Sequence, residues 1–364
     1  MSMTRNQRAF GCACLVFFFA SVVVPNARFF AVRLWTKGRT HAESTRHGSR
    51  TAFDFEYREV GKPRGMVSAC NGQHWMRETP KLSSFDFEVI STIWQENARL
   101  VLFCPDLLGQ ISTRSTVPRI IHRIWECAQI PSNYFEALLT WEDNAPYTYT
   151  LLWSNELREE FISRQLGEEK LAIYRRLLPG AFRADFFKYF IMHYVGGIYS
   201  DLDTFLNVNI LQVSDFLSGP TMAIDLEPTR LLPGALLMSP AGNPLFVCAM
   251  GETLDHASKR EYPGSGLDVS GPGVLGECMR HILGVDGDFR FKAGNIGLGH
   301  LMFRLLESFI SSQDRTHVVK ISEGSEIIRL MSGGTEYNRT GMTPSCDPGE
   351  HYSTLYNKRQ IYAM

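Results

Sequence analysis

The stretch 181–208, "AFRADFFKYFIMHYVGGIYSDLDTFLNV", contains the pattern on which the predicted fold depends. Its first half, 181–194, suits a helix, because aromatic residues recur there at spacings of three and four and form one apolar flank. Gly196 and Gly197 predict the end of that helix, since glycine readily takes the conformations that terminate helices. We therefore expect a strand to begin at Ile198 and to lead into the acidic residues that follow.

Two aspartates, Asp201 and Asp203, follow this strand with one residue between them. On an extended strand their side chains point to the same face, and ligands of open α/β sheets bind beyond the carboxyl ends of strands. Two carboxylates held side by side repel each other unless a cation offsets their charge. Oxygen ligands favour Mg²⁺ or Mn²⁺, and a small divalent ion commonly completes its shell with phosphate oxygens and water. The pair thus predicts a metal site that binds a nucleotide diphosphate.

Other readings of the aspartate pair remain open at this point. A second copy of the pattern, Asp286 and Asp288 in "GVDGDFRF", is interpreted as a turn because Gly287 separates the two acids. The segment 201–204, "DLDT", also fits a haloacid-dehalogenase-like phosphatase, in which the first aspartate is the nucleophile and the second the general acid. Against that reading, Ser200 interrupts the apolar strand expected before the pair. A plain acidic surface loop is the third reading.

Strand and helix patterns alternate over much of the chain before this region. The predicted elements are a helix at 84–103, a strand at 119–126, a helix at 133–144, a strand at 147–153 and a helix at 154–166. Ser154 or Asn155 is the expected N-cap of the last helix. Because strands that alternate with helices indicate βαβ units, we expect an α/β fold with a mainly parallel central sheet.

The composition is that of an ordinary globular protein. The chain has 364 residues, of which 44% are hydrophobic and 21% charged, and its formal net charge is −1. This length suits one large α/β domain with extensions. A near-zero charge without long basic runs gives no reason to expect a nucleic-acid partner. The chain has 8 cysteines without a CxxC pair, so disulfides are a better expectation than zinc, and their connectivity stays open.

The N-terminal segment Ala9–Ala27 carries no charged residue and is just long enough to span a bilayer as a helix. We expect an uncleaved signal anchor, with a buried helix and a cleaved signal peptide as alternatives. Residues 36–50 are polar and aperiodic, which is typical of a stem. The expected layout is a cytosolic tip and transmembrane segment over 1–35, a stem and N-terminal extension over 36–115, and the main domain over 116–364.

The combined pattern resembles the DxD sugar-binding region of glycosyltransferase family 32. This family includes the initiating α-1,6-mannosyltransferases of fungal N-glycans and the inositol-phosphoceramide mannosyltransferases. The resemblance covers roughly residues 117–276, and the order and spacing of its parts make it more specific than the DxD alone. The matching stretches are "VPRIIHRIWE" at 117–126, "WEDNAPYTYTLLW" at 141–153, the segment 181–203, "LPGALLMSPAGNPLF" at 232–246 and "VSGPGVL" at 269–275.

The resemblance implies a GT-A-type fold and a retaining glycosyltransferase that depends on Mn²⁺ or Mg²⁺. GDP-mannose is the favoured nucleotide-sugar donor, a UDP-sugar is possible, and the acceptor is a glycan, a sphingolipid or a small metabolite. The implied location is the lumen of the Golgi or another secretory compartment, as a single-pass type II membrane protein. A non-catalytic, lectin-like membrane protein that retains the fold is the alternative outside enzymes.

The resemblance also implies roles for individual residues. Asp203 is expected to bind the metal directly, and Asp201 to contact the ribose, the sugar or a metal-bound water. Asp185 and Arg183 are expected to hold sugar hydroxyls or the diphosphate. The implied catalytic set is Asp185, Lys188, Asp201 and Asp203, and the implied cofactor-binding set is His122, Trp125, Arg183, Asp185, Gly197, Asp201 and Gly271.

Two departures from the family pattern stand out. Lys188 occupies a position that is usually arginine, so a planar fork of donors is replaced by a point charge. The C-terminal segment "PGEHYSTLYN" offers His351 as a late metal ligand but lacks the tryptophans of the family's segment. Several implied residues also have plainer readings. His122 and Trp125 are equally suited to a core, Arg183 to a solvated helix face, and Gly271 to a turn.

Overall fold

The described part of the chain begins in the predicted helix before the first strand. The computed structural model describes residues 87–104, 117–126, 130, 132–146, 148–210, 218–225, 228–310, 317–322, 325–330 and 351–363. The apolar segment Ala9–Ala27 and the stem at 36–50 lie outside these residues, so the signal anchor stays a prediction. Among the helices that are described, none combines the length and apolar character needed to cross a membrane.

Helices and strands alternate at first, and strands dominate towards the C-terminus. The helices are α1 (Phe87–Phe103), α2 (Ser132–Asn144), α3 (Asn155–Leu166), α4 (Glu168–Tyr174), α5 (Gly180–Tyr194), α6 (Pro244–Lys259), α7 (Pro272–Leu283) and α8 (Tyr352–Asn357). The strands are β1 (Ile120–Ile124), β2 (Tyr149–Trp153), β3 (Gly197–Ser200), β4 (Thr204–Leu206), β5 (Thr221–Asp225), β6 (Leu236–Ser239), β7 (Gly294–Leu298), β8 (Leu301–Ile310), β9 (His317–Ser322) and β10 (Ser325–Leu330).

The strands form one mixed sheet of ten strands, ordered β2-β1-β3-β6-β5-β8-β9-β10-β4, with β7 paired to β8. Strand β1 runs parallel to β2 and β3, and β5 runs parallel to β8. The other described pairings are antiparallel, including that between β3 and β6. The α/β class is therefore confirmed, whereas the mainly parallel sheet is wrong: among the described pairings only β1 with β2, β1 with β3 and β5 with β8 are parallel.

Local signals explain the helices and the glycine turn that flank the candidate site. Ser154 caps α3 by accepting a hydrogen bond from the Leu157 amide, as predicted. Helix α5 ends at Tyr194, and Gly196 and Gly197 follow with φ angles of 69° and 109°, which lie in the region that favours glycine. Space forces the same choice, because a Cβ on Gly196 would lie 2.5 Å from the Ala241 amide nitrogen.

The core lies on both faces of the sheet. Successive side chains of β1 point to opposite faces of the sheet. Ile120 therefore packs in the cluster that includes α3 and α5, and Ile121 packs in the cluster that includes α2. By the same alternation His122 faces Trp153, which belongs to the larger cluster, and Arg123 faces Trp141 on α2. Strand β1 therefore buries a histidine on one face of the sheet and an arginine on the other.

A disulfide joins two of the helices that pack behind the site. Cys248 on α6 and Cys278 on α7 are bonded, with their Cα atoms 5.7 Å apart. The sequence left this connectivity open, because nothing in the spacing of the cysteines selects one pairing. The bond fixes α7, whose first residues border the aspartate region described below.

Candidate active site

The aspartate pair lies in a tight turn between β3 and β4. Strand β3 ends at Ser200, and the following three residues lead directly into β4 at Thr204. The prediction that both carboxylates sit on one extended strand is therefore wrong. Asp201 is instead held at the turn by its backbone, which accepts hydrogen bonds from the Thr204 amide at 3.2 Å and the Thr204 hydroxyl at 2.6 Å. In this turn the charge of Asp201 still acts on the Asp203 carboxyl and helps to raise its pKa.

The side chain of Asp201 is oriented by a tyrosine. The Tyr199 hydroxyl donates to the Asp201 carboxylate at 2.8 Å. Burial, together with the negative charge of Asp201, raises the pKa of Tyr199 well above its ordinary value, so the phenol stays protonated and keeps donating. Asp201 therefore has a fixed direction before any ligand arrives.

A cavity of about 230 Å³ opens beside this turn. Its lining includes the charged residues Asp185, Lys188 and Asp201, and also Leu267, Pro272 and Tyr352. The charged residues come from α5 and the turn after β3, and the others from the region before and within α7 and from α8. The structure thus brings together three members of the predicted catalytic set in one concave site.

Asp185 and Lys188, one turn apart on α5, form a buried ion pair. The Lys188 Nζ lies 2.7 Å from an Asp185 oxygen, and the second oxygen accepts from the Ser270 hydroxyl at 3.2 Å. Lys188 also lies 3.4 Å from the Gly234 carbonyl oxygen, and a Cβ on Gly234 would come within 2.7 Å of the ammonium. The absence of a side chain at Gly234 is what leaves room for the lysine head group.

Burial and neighbouring charges shift the pKa values of Lys188, Asp185 and Asp203. Burial lowers the pKa of Lys188, but the carboxylates of Asp185 and Asp201 outweigh it, so the pKa lies above its ordinary value. Burial raises the pKa of Asp185, and the neighbouring Lys188 opposes that shift. Burial and the nearby charge of Asp201 raise the pKa of Asp203 to about 7. A cation bound next to Asp203 would therefore stabilise its ionised form and lower its pKa.

Other predicted residues lie away from the cavity. The His122 ring is fully buried, with Nδ1 accepting from the Trp153 indole at 3.2 Å and Nε2 lying 2.7 Å from the Gly196 carbonyl oxygen. Burial lowers the pKa of His122 to about 4, so the ring is neutral. Gly197 packs against β1, where a Cβ would lie 2.7 Å from the Ile120 oxygen. These contacts support the core-histidine reading of His122.

Trp125 and Arg183 lie near the carboxyl end of β1. The Trp125 ring packs edge-to-face on Tyr134 at a centroid distance of 6.1 Å. Arg183 lies 3.7 Å from a carboxylate oxygen of Glu126, which also pairs with the fully buried Arg158. Arg183 therefore belongs to a charged cluster next to the predicted nucleotide side, and its role as a ligand for the donor stays a prediction.

His351 and Gly271 are neighbours in the chain of the lining residues Tyr352 and Pro272. His351 is exposed, and its Nδ1 accepts from the Ser353 amide at the start of α8, so this nitrogen serves as a helix cap. No group of three or more histidine, cysteine, aspartate or glutamate side chains suited to a metal occurs among the residues that the structure describes. Gly271 packs against Asp185, where a Cβ would lie 3.2 Å from the carboxylate.

Some residues of the site were missed by sequence reasoning. Tyr199 was accessible, because it lies two positions before Asp201, where the predicted strand would have placed both side chains on one face. Tyr352 reaches the cavity only through folding of a segment far along the chain, and no local pattern marks it as part of the site. Ser270 lies in the stretch 269–275 that the resemblance included, but its hydrogen bond to Asp185 could not be predicted from the sequence.

The residues present fit a small divalent cation. The available protein ligands are the two carboxylates of Asp201 and Asp203, which are hard oxygen donors. A Mg²⁺ or Mn²⁺ ion bound through one or two carboxylates takes its other ligands from phosphate oxygens and water. This donor set, together with the raised pKa of Asp203, matches the chemistry predicted for the turn.

Comparison with protein families gives a match in this region. Residues 131–219 match the family described as "Glycosyltransferase sugar-binding region containing DXD motif". The match includes α2, β2, α5 and the turn with both aspartates.

Curated relatives match over a similar part of the chain. "Inositol phosphoceramide mannosyltransferase 2" of Schizosaccharomyces pombe is 30% identical over 105 residues, which cover 27% of this chain and 28% of that protein. "Inositol phosphoceramide mannosyltransferase 3" of the same organism is 34% identical over 93 residues, 26% of each chain. "Mannosyl phosphorylinositol ceramide synthase CSH1" of Saccharomyces cerevisiae is 35% identical, covering 24% of this chain and 23% of that protein. The aligned part is thus about a quarter of each relative's length.

Among solved structures, "PaToxG Glycosyltransferase" aligns with a TM-score of 0.36 and 14% identity, covering 53% of this chain and 80% of that chain. The family match and the curated relatives confirm the predicted resemblance of this chain to the DXD-containing glycosyltransferases, among them the inositol phosphoceramide mannosyltransferases.

Proposed function

We propose that the chain is a metal-dependent, retaining glycosyltransferase of GT-A type that transfers a sugar from a nucleotide-sugar to a hydroxyl group. The observation that carries this proposal is the cavity in which the Asp201 carboxylate and the Asp185–Lys188 pair face the same space. Carboxylates and an ammonium converging in one cavity suit a ligand that combines sugar hydroxyls with phosphate charge.

Asp201 and Asp203 would hold the divalent ion, with Mn²⁺ or Mg²⁺ as candidates. When bound, such an ion acts as a Lewis acid that stabilises the charge developing on the leaving diphosphate. The protein prepares this site in advance, because Tyr199 orients the Asp201 carboxylate and Thr204 holds the Asp201 backbone in the turn.

The remaining residues of the cavity bind and orient the donor. Asp185 presents a carboxylate that is already held by Lys188 and Ser270, so sugar hydroxyls meet an acceptor of fixed position. The buried Lys188 ammonium places positive charge near the departing diphosphate, where a low dielectric strengthens it. Leu267, Pro272 and Tyr352 complete the lining of the cavity with largely apolar surface.

The donor and acceptor follow from the relatives rather than from the residues. Because the relatives carry inositol phosphoceramide mannosyltransferase in their names, GDP-mannose and a sphingolipid-like acceptor are the first pair to test. The disulfide between Cys248 and Cys278 supports the lumen of the secretory pathway, because disulfides persist in oxidising compartments.

A donor-hydrolysis and transfer assay tests the proposal. The purified full chain is incubated with Mn²⁺ and a panel of GDP- and UDP-sugars, with and without an inositol phosphoceramide acceptor, and released nucleotide is measured. We expect release from one sugar nucleotide, and we expect Asp203→Asn to lower it about 100-fold, since the variant keeps the shape but removes a charged metal ligand.

The second aspartate pair supplies the matched control. Asp286 and Asp288 lie in an exposed turn, where the Asp288 amide donates to the Asp286 carboxylate at 3.1 Å. Asp286→Asn is expected to leave activity unchanged. Equal activity in wild type and Asp203→Asn would end the proposal, as would absence of release from every donor. A phosphoaspartate trapped at Asp201 would instead establish the phosphatase reading.

A further inference from the structure

A fully buried arginine, Arg123 on β1, lies directly behind the aspartate turn. Its Nη1 donates to the carbonyl oxygens of Ser200 at 2.9 Å and Asp201 at 2.8 Å, and lies 3.3 Å from the Thr204 hydroxyl. One nitrogen therefore contacts the last residue of β3, the first acid of the turn and the first residue of β4. These are the residues whose positions define the turn.

An aromatic partner holds the same turn from the side of α2. The Arg123 guanidinium lies over the Trp141 ring, 4.6 Å from its centroid, and the Trp141 indole donates to the Thr204 carbonyl at 2.8 Å. Arg123 and Trp141 thus bind backbone groups at both ends of the turn. We call these two side chains the Arg–Trp clamp.

Burial of this arginine is costly for the protein. Arg123 is fully buried, and its Nε and Nη2 have no hydrogen-bond partner in the part of the chain that the structure describes. A buried polar group without a partner destabilises the folded state, and an apolar side chain of similar volume would fill the same space without that penalty. The positive charge of Arg123 is partly compensated by the negative charges of Asp201 and Asp203, because the guanidinium lies behind the turn that carries them.

We propose that Arg123 is a positioning residue that pre-organises the aspartate turn for a divalent cation. It acts through the carbonyl oxygens of Ser200 and Asp201 and through Trp141, and it does not touch the ligand. Fixing the turn before the ion arrives removes an ordering cost from binding, and the buried positive charge reduces repulsion between the two acids. This inference rests on the proposed metal-dependent function. It adds to that site a positioning residue that lies outside 131–219, the segment that matches the family.

Hydrogen exchange tests the clamp without any metal. In the metal-free full chain, Arg123→Met is expected to speed amide exchange about tenfold or more in peptides spanning 198–206, because the carbonyl contacts are lost. The matched control is Arg280→Met, since Arg280 is also a buried arginine that donates to a backbone carbonyl, that of Arg230 at 3.0 Å. That control is expected to leave exchange at 198–206 unchanged.

Manganese binding supplies the second readout. Free Mn²⁺ is measured by electron paramagnetic resonance during titration of the full chain with Mn²⁺ and GDP. Arg123→Met is expected to weaken Mn²⁺ binding about 10–100-fold, the usual range for supporting residues of a metal site. Arg123→Lys, which keeps the charge but loses the fork, is expected to fall between wild type and Arg123→Met, and it replaces the methionine variant if that variant does not fold.

The outcomes separate this inference from the proposed function. Unchanged exchange at 198–206 in a folded Arg123 variant would overturn the clamp whatever the metal does. Faster exchange in the turn with wild-type Mn²⁺ affinity would also overturn it, because the turn would then need no pre-organisation. If the wild-type chain binds no Mn²⁺, the pre-organising role falls together with the proposed metal site, even where the exchange data show that Arg123 holds the turn.

Discussion

At the scale of single residues, Asp203 carries the clearest consequence. Burial and the charge of Asp201 raise its pKa to about 7, so below pH 7 the carboxyl is mostly protonated and above pH 7 it is mostly ionised. A metal ion has to displace that proton, and its affinity therefore falls as the pH drops. In the metal-free chain the free energy of unfolding depends on pH in the opposite direction. Between the ordinary pKa of aspartate and pH 7, the folded state keeps a proton on Asp203 that the unfolded state releases. The contribution of Asp203 to the free energy of unfolding therefore falls as the pH rises.

We predict that Mn²⁺ binds about tenfold more weakly at pH 6 than at pH 8, since one proton is displaced per ion below the pKa. The measurement is a Mn²⁺ titration of the wild-type chain at both pH values, followed by electron paramagnetic resonance. Asp203→Asn serves as the control, because it has no proton to displace and should bind weakly at both. Equal wild-type affinity at pH 6 and pH 8 would contradict the displacement of a proton from Asp203 by the metal.

Lys188 shows how a departure from the family pattern is accommodated. Its Nζ makes an ion pair with Asp185 and lies near the Gly234 carbonyl oxygen. Lys188 also lies over the Tyr199 ring, with its nitrogen 5.3 Å from the centroid. A point charge is thus held by a carboxylate, a carbonyl and an aromatic face, which replaces part of the orientation that a planar guanidinium would supply.

At the scale of elements, α8 brings the C-terminal segment onto the cavity. Tyr352, its first residue, lines the cavity and packs on Phe182 of α5 at a centroid distance of 5.6 Å. Tyr356, one turn later, bonds through its hydroxyl to the Pro263 carbonyl. The helix is short, so these two aromatic side chains anchor it and set the position of the cavity wall.

We predict that Tyr352→Ala raises the KM for the sugar nucleotide about tenfold while kcat changes little, because an aromatic wall that contacts the sugar is worth about 1 kcal/mol or more. Steady-state kinetics provide the measurement, with the sugar nucleotide that gives release in the donor-hydrolysis assay. Tyr356→Phe, which loses one hydroxyl bond on the same helix, should leave KM within about twofold of wild type. A Tyr352→Ala variant with wild-type KM would place the sugar elsewhere in the cavity.

The elements nearest the aspartates were those that the sequence predicted well. The spacing of Asp185 and Lys188 on one helix and the glycine pair between helix and strand are local features, and the structure has both, with β3 beginning at Gly197, one residue earlier than predicted. The antiparallel return of β6 beside β3 was not accessible, because it depends on pairing with residues about 40 positions away. For the same reason, the contacts of Arg123 with the turn and of Ser270 with Asp185 required the folded chain.

At the scale of the whole molecule, the site combines three distant parts of the chain. Arg123 supports the turn from β1, the acids and Lys188 come from the matched region, and further lining residues come from the chain after Gly266. The matched region, 131–219, supplies Asp185, Lys188 and Asp201, while the part of the chain beyond it supplies Leu267, Pro272 and Tyr352, the second half of the cavity lining.

The disulfide between Cys248 and Cys278 fastens this second half to the rest of the fold. It joins positions separated by 30 residues, and closing a loop of that length stabilises a fold by about 3–4 kcal/mol in the chain-entropy account. We predict that the double variant Cys248→Ala, Cys278→Ala lowers Tm by about 5–10 °C, measured by differential scanning calorimetry. Transfer activity at 20 °C should stay within about twofold of wild type, because α6 and α7 also pack through buried apolar residues. An unchanged Tm would contradict the stabilising role, and lost activity at an unchanged Tm would mean that the bond shapes the cavity itself.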